Sequence, residues 1–234
     1  MRAPHLDFER EAIAGGCRWV AGVDEVGRGP LAGPVGVAAV ILDPNDLPEG
    51  LDDSKALAEA VREALKPIIL AKAISVAVAF ASAEEIDRFN IRGATLRAMA
   101  RAVAALHVRP DLALIDGRDV PDGLKCPARP IIGGDALSMS IAGASIVAKT
   151  TRDALMRNLG RDYPAYGFGD HAGYATTFHR SVLEAIGPCP YHRRSFRLRK
   201  EEADAEKGFE SVEGVDLLSS ARPYENDTTS GAAP

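Results

Sequence analysis

At 234 residues, with 46% hydrophobic and 26% charged positions, the chain holds enough apolar matter for one good-sized core and too much for a disordered protein. Its longest apolar runs, 35–42 and 73–83, are too short to cross a bilayer, and the opening MRAPHLDFEREAIAG mixes acids and bases where a secretory leader needs an apolar stretch, so a cytoplasmic protein with no membrane partner is expected. Three scattered cysteines, Cys17, Cys126 and Cys189, form no CxxC pair and read as reduced thiols, while the net charge of -5 argues against a nucleic-acid binder only until it is divided along the chain.

The first 18 residues are expected to form an N-terminal extension. Residues 20–24 and 35–42, short and rich in Val, Ala and Ile, then predict two strands joined as an antiparallel pair by the turn GRGPLAG. Ser54 precedes a helical pattern from 55 to about 65, and 74–81 alternates as a third strand. Ser82 followed three residues later by Glu85 is a capping box that opens a short helix. Past Asn90, the spacing of Ile91, Leu96, Met99, Val103 and Leu106 gives a long amphipathic helix ending near His107. Residues 111–116 (DLALID) and 129–132 predict two more strands, and 137–159 a helix. After Gly160 the pattern loosens into Tyr, Gly, His and Pro, with one helix over 176–186. Strands interleaved with helices indicate an α/β layer fold, here a core over 19–158 with a loop-rich region over 159–200 beside it.

Charge is distributed unevenly over these regions. Residues 201–234 hold nine acids against Lys207 and Arg222, a net of -7 that leaves the body at +2. This acidic, Gly- and Ser-containing tail is expected to be disordered. Residues 149–200 carry ten Lys and Arg against Asp153, Asp162, Asp170 and Glu184, a net of +6 suited to phosphate contacts or to a solvated helical face.

Acids stand at the ends of the apolar runs. Asp24 and Glu25 follow one and precede Gly27; Asp116 ends LALID; Asp135 follows the Gly133-Gly134 turn just before a helix. Acids placed so line one edge of an α/β sheet. Singly, each has a plain structural explanation, as a turn residue or, for Asp135, a helix N-cap. If they converge they demand a cation, because each close like-charge pair costs on the order of a few kcal/mol at an effective dielectric near 20. All-oxygen donors favour Mg2+ or Mn2+ over Zn2+. Neighbours on a regular strand point to opposite faces, so Asp24 and Glu25 are expected to share a site only where the strand ends or bulges.

The segment VAGVDEVGRGPLAGP at 20–34 closely resembles the first signature of ribonuclease HII, and the resemblance continues in order. It runs through LDDSKAL at 51–57, FNIRGATLRAM at 89–99, LIDG at 114–117, GGDALSMSIAGASIVAKTTRD at 133–153, HAGYATTFH at 171–179 and GPCPYHRRSF at 187–196. It implies a ribonuclease H-like mixed β-sheet flanked by helices, with a small C-terminal helical subdomain that helps clamp the substrate. The expected activity is endonucleolytic hydrolysis of the RNA strand of RNA/DNA hybrids and of duplex DNA containing ribonucleotides, by a monomer, leaving 5′-phosphate and 3′-hydroxyl ends. The resemblance carries four metal-binding, catalytic acids onto Asp24, Glu25, Asp116 and Asp135, which would hold two Mn2+ or Mg2+ ions, one activating the attacking water and the other stabilising the leaving 3′ oxygen.

For substrate the resemblance implies that the backbone of Gly27, Arg28 and Gly29 senses the 2′-OH, which distinguishes RNA from DNA. Tyr174 of HAGY is similar to a tyrosine that packs on the adjoining sugar, and Ser54, Lys55, Lys149, Arg193 and Arg194 fit phosphate-contact positions. Ala172 and Thr177 stand where the family often has lysine, which removes two phosphate contacts and lowers affinity rather than chemistry. The related HIII type is disfavoured because the chain lacks a long N-terminal substrate-binding domain. From another class, a non-catalytic hybrid-binding module would fit the same scaffold, but not the retention of all four acids. A P-loop near-miss at 143–150 has Ala148 where glycine is needed.

Overall fold

The computed structural model describes residues 3–198 except 53, 55 and 56. A mixed five-stranded sheet in the order β3-β2-β1-β4-β5 forms its centre. β1 (Val20–Val26) and β2 (Val35–Ile41) are the expected antiparallel pair, and β3 (Ser75–Ala81) extends it beside β2. β4 (Leu112–Asp116) returns parallel to β1, and β5 (Ala128–Ile131) parallel to β4.

Both faces of the sheet are covered, which is why β2 is apolar without alternation. Val35, Val37, Ala39 and Ile41 pack with Ala21 and Val23 of β1 against α3 (Ala83–Ala104). Ala38 and Val40 pack on the opposite face against α2 (Glu59–Lys72) and α4 (Met139–Asp162). Gly22 lies on the α4 face, where an added Cβ would meet the Ser140 and Ile141 backbone at 2.1–2.4 Å. No side chain fits, so strand and helix touch backbone to backbone there.

Several elements differ from expectation for reasons visible in their contacts. The N-terminal extension contains α1 (Asp7–Ala14), whose Phe8 and Ala12 pack on Val20, Leu114, Ile131 and Ile141. Its buried Glu9 accepts hydrogen bonds from the Ser138 and Ser140 hydroxyls and the Ser140 N–H. The helix expected from residue 55 begins at Glu59, and the Ser54 hydroxyl bonds to Ser145 at 2.7 Å. The two helices expected around Asn90 form one element with a kink: Asn90 has φ 57°, and its Oδ1 accepts the Gly93 N–H at 2.9 Å, capping the second half. The Ser82–Glu85 capping box is present.

The boundary expected at 158 falls inside α4, and residues 1–199 form one compact unit. α5 (Phe168–His171) and α6 (Thr177–Ile186) pack around Leu31, Met156, Leu159, Phe168 and Leu183 as the expected small helical region. The acidic tail lies outside the described residues. Among the described residues no helix is long and apolar enough to cross a membrane.

Candidate active site

Parity along β1 fixes where its acids begin. Ala21 and Val23 face α3, so Glu25 does as well; Asp24 faces α4. No bulge reverses this, since β1 stays in register with β2 through Val26↔Gly36. The expectation that a shared site needs a bulge or strand end is corrected: pairing with β4 stops at Val23↔Ile115, leaving the side of Asp24 and Glu25 toward Asp116 open. Around that open edge, oxygens of Asp24, Glu25 and Asp116 come within 4.8 Å of one another. Asp135, buried in the short 3-10 turn Gly134–Ala136, lies outside this trio, but its charge acts on Asp24.

Neighbours hold each carboxylate. Asp24 accepts the Glu25 N–H at 2.7 Å and is hydrogen-bonded by Ser145, whose hydroxyl the Ser54 hydroxyl supports from behind. Asp116 accepts the Gly134 N–H at 2.7 Å, which ties β4 to the turn that carries Asp135. Glu25 has Arg28 at 3.4 Å. Burial pushes the Asp24 carboxyl well above the ordinary carboxylate range; the charges of Glu25 and Asp116 push it further, and the Ser145 hydrogen bond opposes them. Burial also raises Glu25, against the Arg28 charge that lowers it.

A divalent cation fits this donor set. Oxygens on opposite sides of an octahedral ion at about 2.1 Å stand about 4.2 Å apart, within the observed spread. The trio is all carboxylate, buried or half-buried, and self-repelling. A carboxyl raised on folding contributes a penalty that grows as pH climbs from its unfolded value near 4 through its folded value. Metal-free protein therefore loses stability as pH rises above the ordinary carboxylate range near 4, and saturating Mg2+ or Mn2+ is expected to raise the melting temperature far more at alkaline than at mildly acidic pH. At a hundredfold excess over Kd the gain is about 2.7 kcal/mol, or roughly 5–10 °C for a domain of this size. A metal increment equal at both pH values, by calorimetry, contradicts the assignment.

The expected substrate residues divide into two groups. Gly27 (φ 84°), Arg28 and Gly29 form the turn directly after Glu25, and Tyr174, 44% exposed, has a ring atom 3.8 Å from where a Gly29 Cβ would be. Lys149 is part-exposed and paired with Asp153 at 2.8 Å; Arg194 is exposed, its N–H bound to Asp87. Ser54 is buried against Ser145, so its hydroxyl serves the Asp24 environment rather than a phosphate. Arg193, expected on a phosphate, is fully buried, and its guanidinium bonds the carbonyls of Gly27, Arg28 and Gly33. Lys55 lies outside the described residues.

The basic stretch is accordingly less available than its charge implied. Arg152 is buried as well, and Arg157 pairs with Glu59 and Glu63 at 2.8 and 2.7 Å. Sequence reasoning missed Ser145 and Arg152, although residues 141, 145, 148, 152, 156 and 159 share one helical stripe whose other members are buried. It also missed His179, whose Nδ1 is 2.9 Å from the Tyr174 carbonyl and whose Nε2 is 3.0 Å from Nε2 of the buried His192.

Residues 21–199 match the family model described as Ribonuclease HII. A curated ribonuclease HII of Brucella ovis is 56% identical over 195 residues, covering 83% of this chain and 89% of that one. One from Ruegeria pomeroyi is 55% identical over 197 residues, covering 84% of each. Among solved structures, the PCNA:RNase HII complex from Archaeoglobus fulgidus superposes with a TM-score of 0.66 at 27% identity, covering 80% of this chain and 99% of that one. Matched over most of its length, with Asp24, Glu25 and Asp116 gathered at one sheet edge, the chain belongs to the ribonuclease HII family and is an endonuclease of the ribonuclease H kind.

Proposed function

We propose that the protein hydrolyses the RNA strand of RNA/DNA hybrids and cuts on the 5′ side of single ribonucleotides in duplex DNA, leaving 5′-phosphate and 3′-hydroxyl ends. The observation that carries this reading is the adjacency of two features: the carboxylate trio at the end of β1, and the Gly27–Gly29 turn that follows it with Tyr174 alongside. A phosphate at the trio would put its ribose at the turn.

Asp24, Glu25, Asp116 and Asp135 would hold two Mg2+ or Mn2+ ions. When bound, such ions lower the pKa of an attacking water and stabilise charge on the leaving oxygen. The protein's own work is placement. Ser145 and the Glu25 N–H orient Asp24, and the Gly134 N–H orients Asp116. Arg28, paired with Glu25 and half-exposed, lies where it would meet the substrate backbone. Main-chain N–H groups of the turn would meet the 2′-OH, the Tyr174 ring would pack on the neighbouring sugar, and Lys149 and Arg194 would contact phosphates along the duplex.

The test is cleavage of an end-labelled DNA duplex holding one ribonucleotide, and of a long hybrid, with Mg2+, Mn2+ or EDTA. Metal-dependent cutting 5′ to the ribonucleotide is expected. Absence of cutting of both duplexes by folded protein with either metal rejects the reading.

A further inference from the structure

Arg152 and Arg193 are the two largest fully buried side chains. Among the described residues neither is paired with a carboxylate in an ion pair; their hydrogen bonds run to backbone carbonyls. Arg193 donates to the carbonyls of Gly33 at 3.0 Å, Arg28 at 2.8 Å and Gly27 at 2.5 Å. Arg152 donates to Pro34 at 2.8 Å, Ala172 at 3.1 Å and Ala32 at 3.3 Å. Burying cations without a directly paired carboxylate costs stability, and burial with the neighbouring Arg152 charge brings Arg193 down to about 9, against the more distant Asp87 charge that raises it. An apolar side chain would fill the same volume without that cost. A planar five-donor fork offers what an apolar side chain lacks, simultaneous fixing of several peptide planes.

Peptide geometry gives that fixing a direction. In a trans peptide the carbonyl of one residue and the N–H of the next point opposite ways, and no cis bond occurs among the described residues. With the Gly27 and Arg28 carbonyls drawn inward by Arg193, the N–H groups of Arg28 and Gly29 point outward, on residues that are exposed. Among the described residues those two N–H groups have no intramolecular acceptor. Gly27 must lack a side chain because its Cβ would lie 2.1 Å from the Arg152 Nε. Arg152 also binds the Ala172 carbonyl, and the Leu31 N–H binds the Gly173 carbonyl, so the segment presenting Tyr174 is tied to the same loop.

We infer that Arg152 and Arg193 are positioning residues for ribose recognition: they fix the Gly27–Pro34 loop so that the Arg28 and Gly29 N–H groups face the 2′-OH in register with Tyr174. The inference rests on the proposed sensing of the 2′-OH by this turn. It makes Arg193 a determinant of the RNA-over-DNA choice without any contact to nucleic acid.

The experiment uses the full chain in an Asp24→Asn background, so that no duplex is cut. It measures the affinity for an all-DNA duplex and for the same duplex with one ribonucleotide. Arg193→Lys keeps the charge but loses the fork, and is expected to cut the ribonucleotide preference about tenfold while all-DNA affinity stays within about twofold. Arg152→Lys, the second variant, is expected to do the same to a lesser degree. With Asp24 restored, Arg193→Lys should lower kcat more than it raises KM. A merely structural role would lower both affinities together, because the preference is a ratio independent of the folded fraction. An unchanged preference in both lysine variants overturns the inference. If the parent with both arginines intact shows no ribonucleotide preference, sensing by the turn itself fails, a result seen before either arginine is replaced.

Discussion

Asp24→Asn is expected to lower cleavage at least about a thousandfold, some 4 kcal/mol of transition-state stabilisation, while making metal-free protein more stable. The two effects have one cause. Asn is isosteric, keeps an oxygen for the Glu25 N–H, and can still bond Ser145, so the local fold survives. It removes a charge from beside Glu25 and Asp116 in a buried place where like charges raise each other. Relief of one such pair is about 1–3 kcal/mol at an effective dielectric near 20, or roughly 2–12 °C of melting temperature in EDTA. The pH-dependent metal increment should shrink with it. Activity within tenfold of the wild type in Mg2+ and in Mn2+ would remove Asp24 from the metal-holding set.

Gly22→Ala is the largest expected effect on stability. The new methyl group would lie 2.1 Å from the Ser140 carbonyl carbon and 2.3 Å from the Ile141 nitrogen, in the first turn of α4. Backbone cannot rotate away as a side chain does, so helix and strand must separate. Overpacking of this kind costs roughly 3 kcal/mol or more and should lower the melting temperature by about 6–12 °C. Because α4 carries Ser145 and Arg152, activity per folded molecule should fall as well. Gly117→Ala is the control. Its Cβ meets nothing within 4 Å, and only the φ of 96° opposes it, at about 1–3 kcal/mol. A Gly22→Ala protein that melts within about 2 °C of wild type would contradict the backbone contact.

What the sequence discloses, and what it hides, follows from the range of the interactions. Local signals carry through intact: the Ser82–Glu85 capping box, the break at Asn90, and the β1–β2 pair around a glycine-rich turn. Asp24, Glu25 and Asp116 are legible because strand ends are marked by their own apolar runs and glycines, and Asp135 because it follows a Gly-Gly turn. The meeting of the first three is not, since it depends on β4 lying parallel to β1 and releasing it after Val23. Ser54 departs from its expected phosphate contact because its hydroxyl partner, Ser145, lies 91 residues away and no local signal announces it. Arg193 reads as a phosphate ligand because charge argues for the surface, whereas its carbonyl partners lie 160–166 residues back along the chain. Giving helical periodicity precedence over charge would reveal Arg152.

The parallel seam between β1 and β4 has a consequence in time. Asp111 anchors the Trp19 N–H from 92 residues away, and above that anchor the ladder Val20↔Leu112 to Val23↔Ile115 brings Asp116 beside Asp24 and Glu25. Closing so long a loop is slow, and its entropy is lost before any contact repays it. Hairpin and helices can form early from local contacts, but the acids meet only when the seam closes. Cation affinity should therefore lag helix formation during refolding, and a chain caught partway would be well structured yet harmless to nucleic acid.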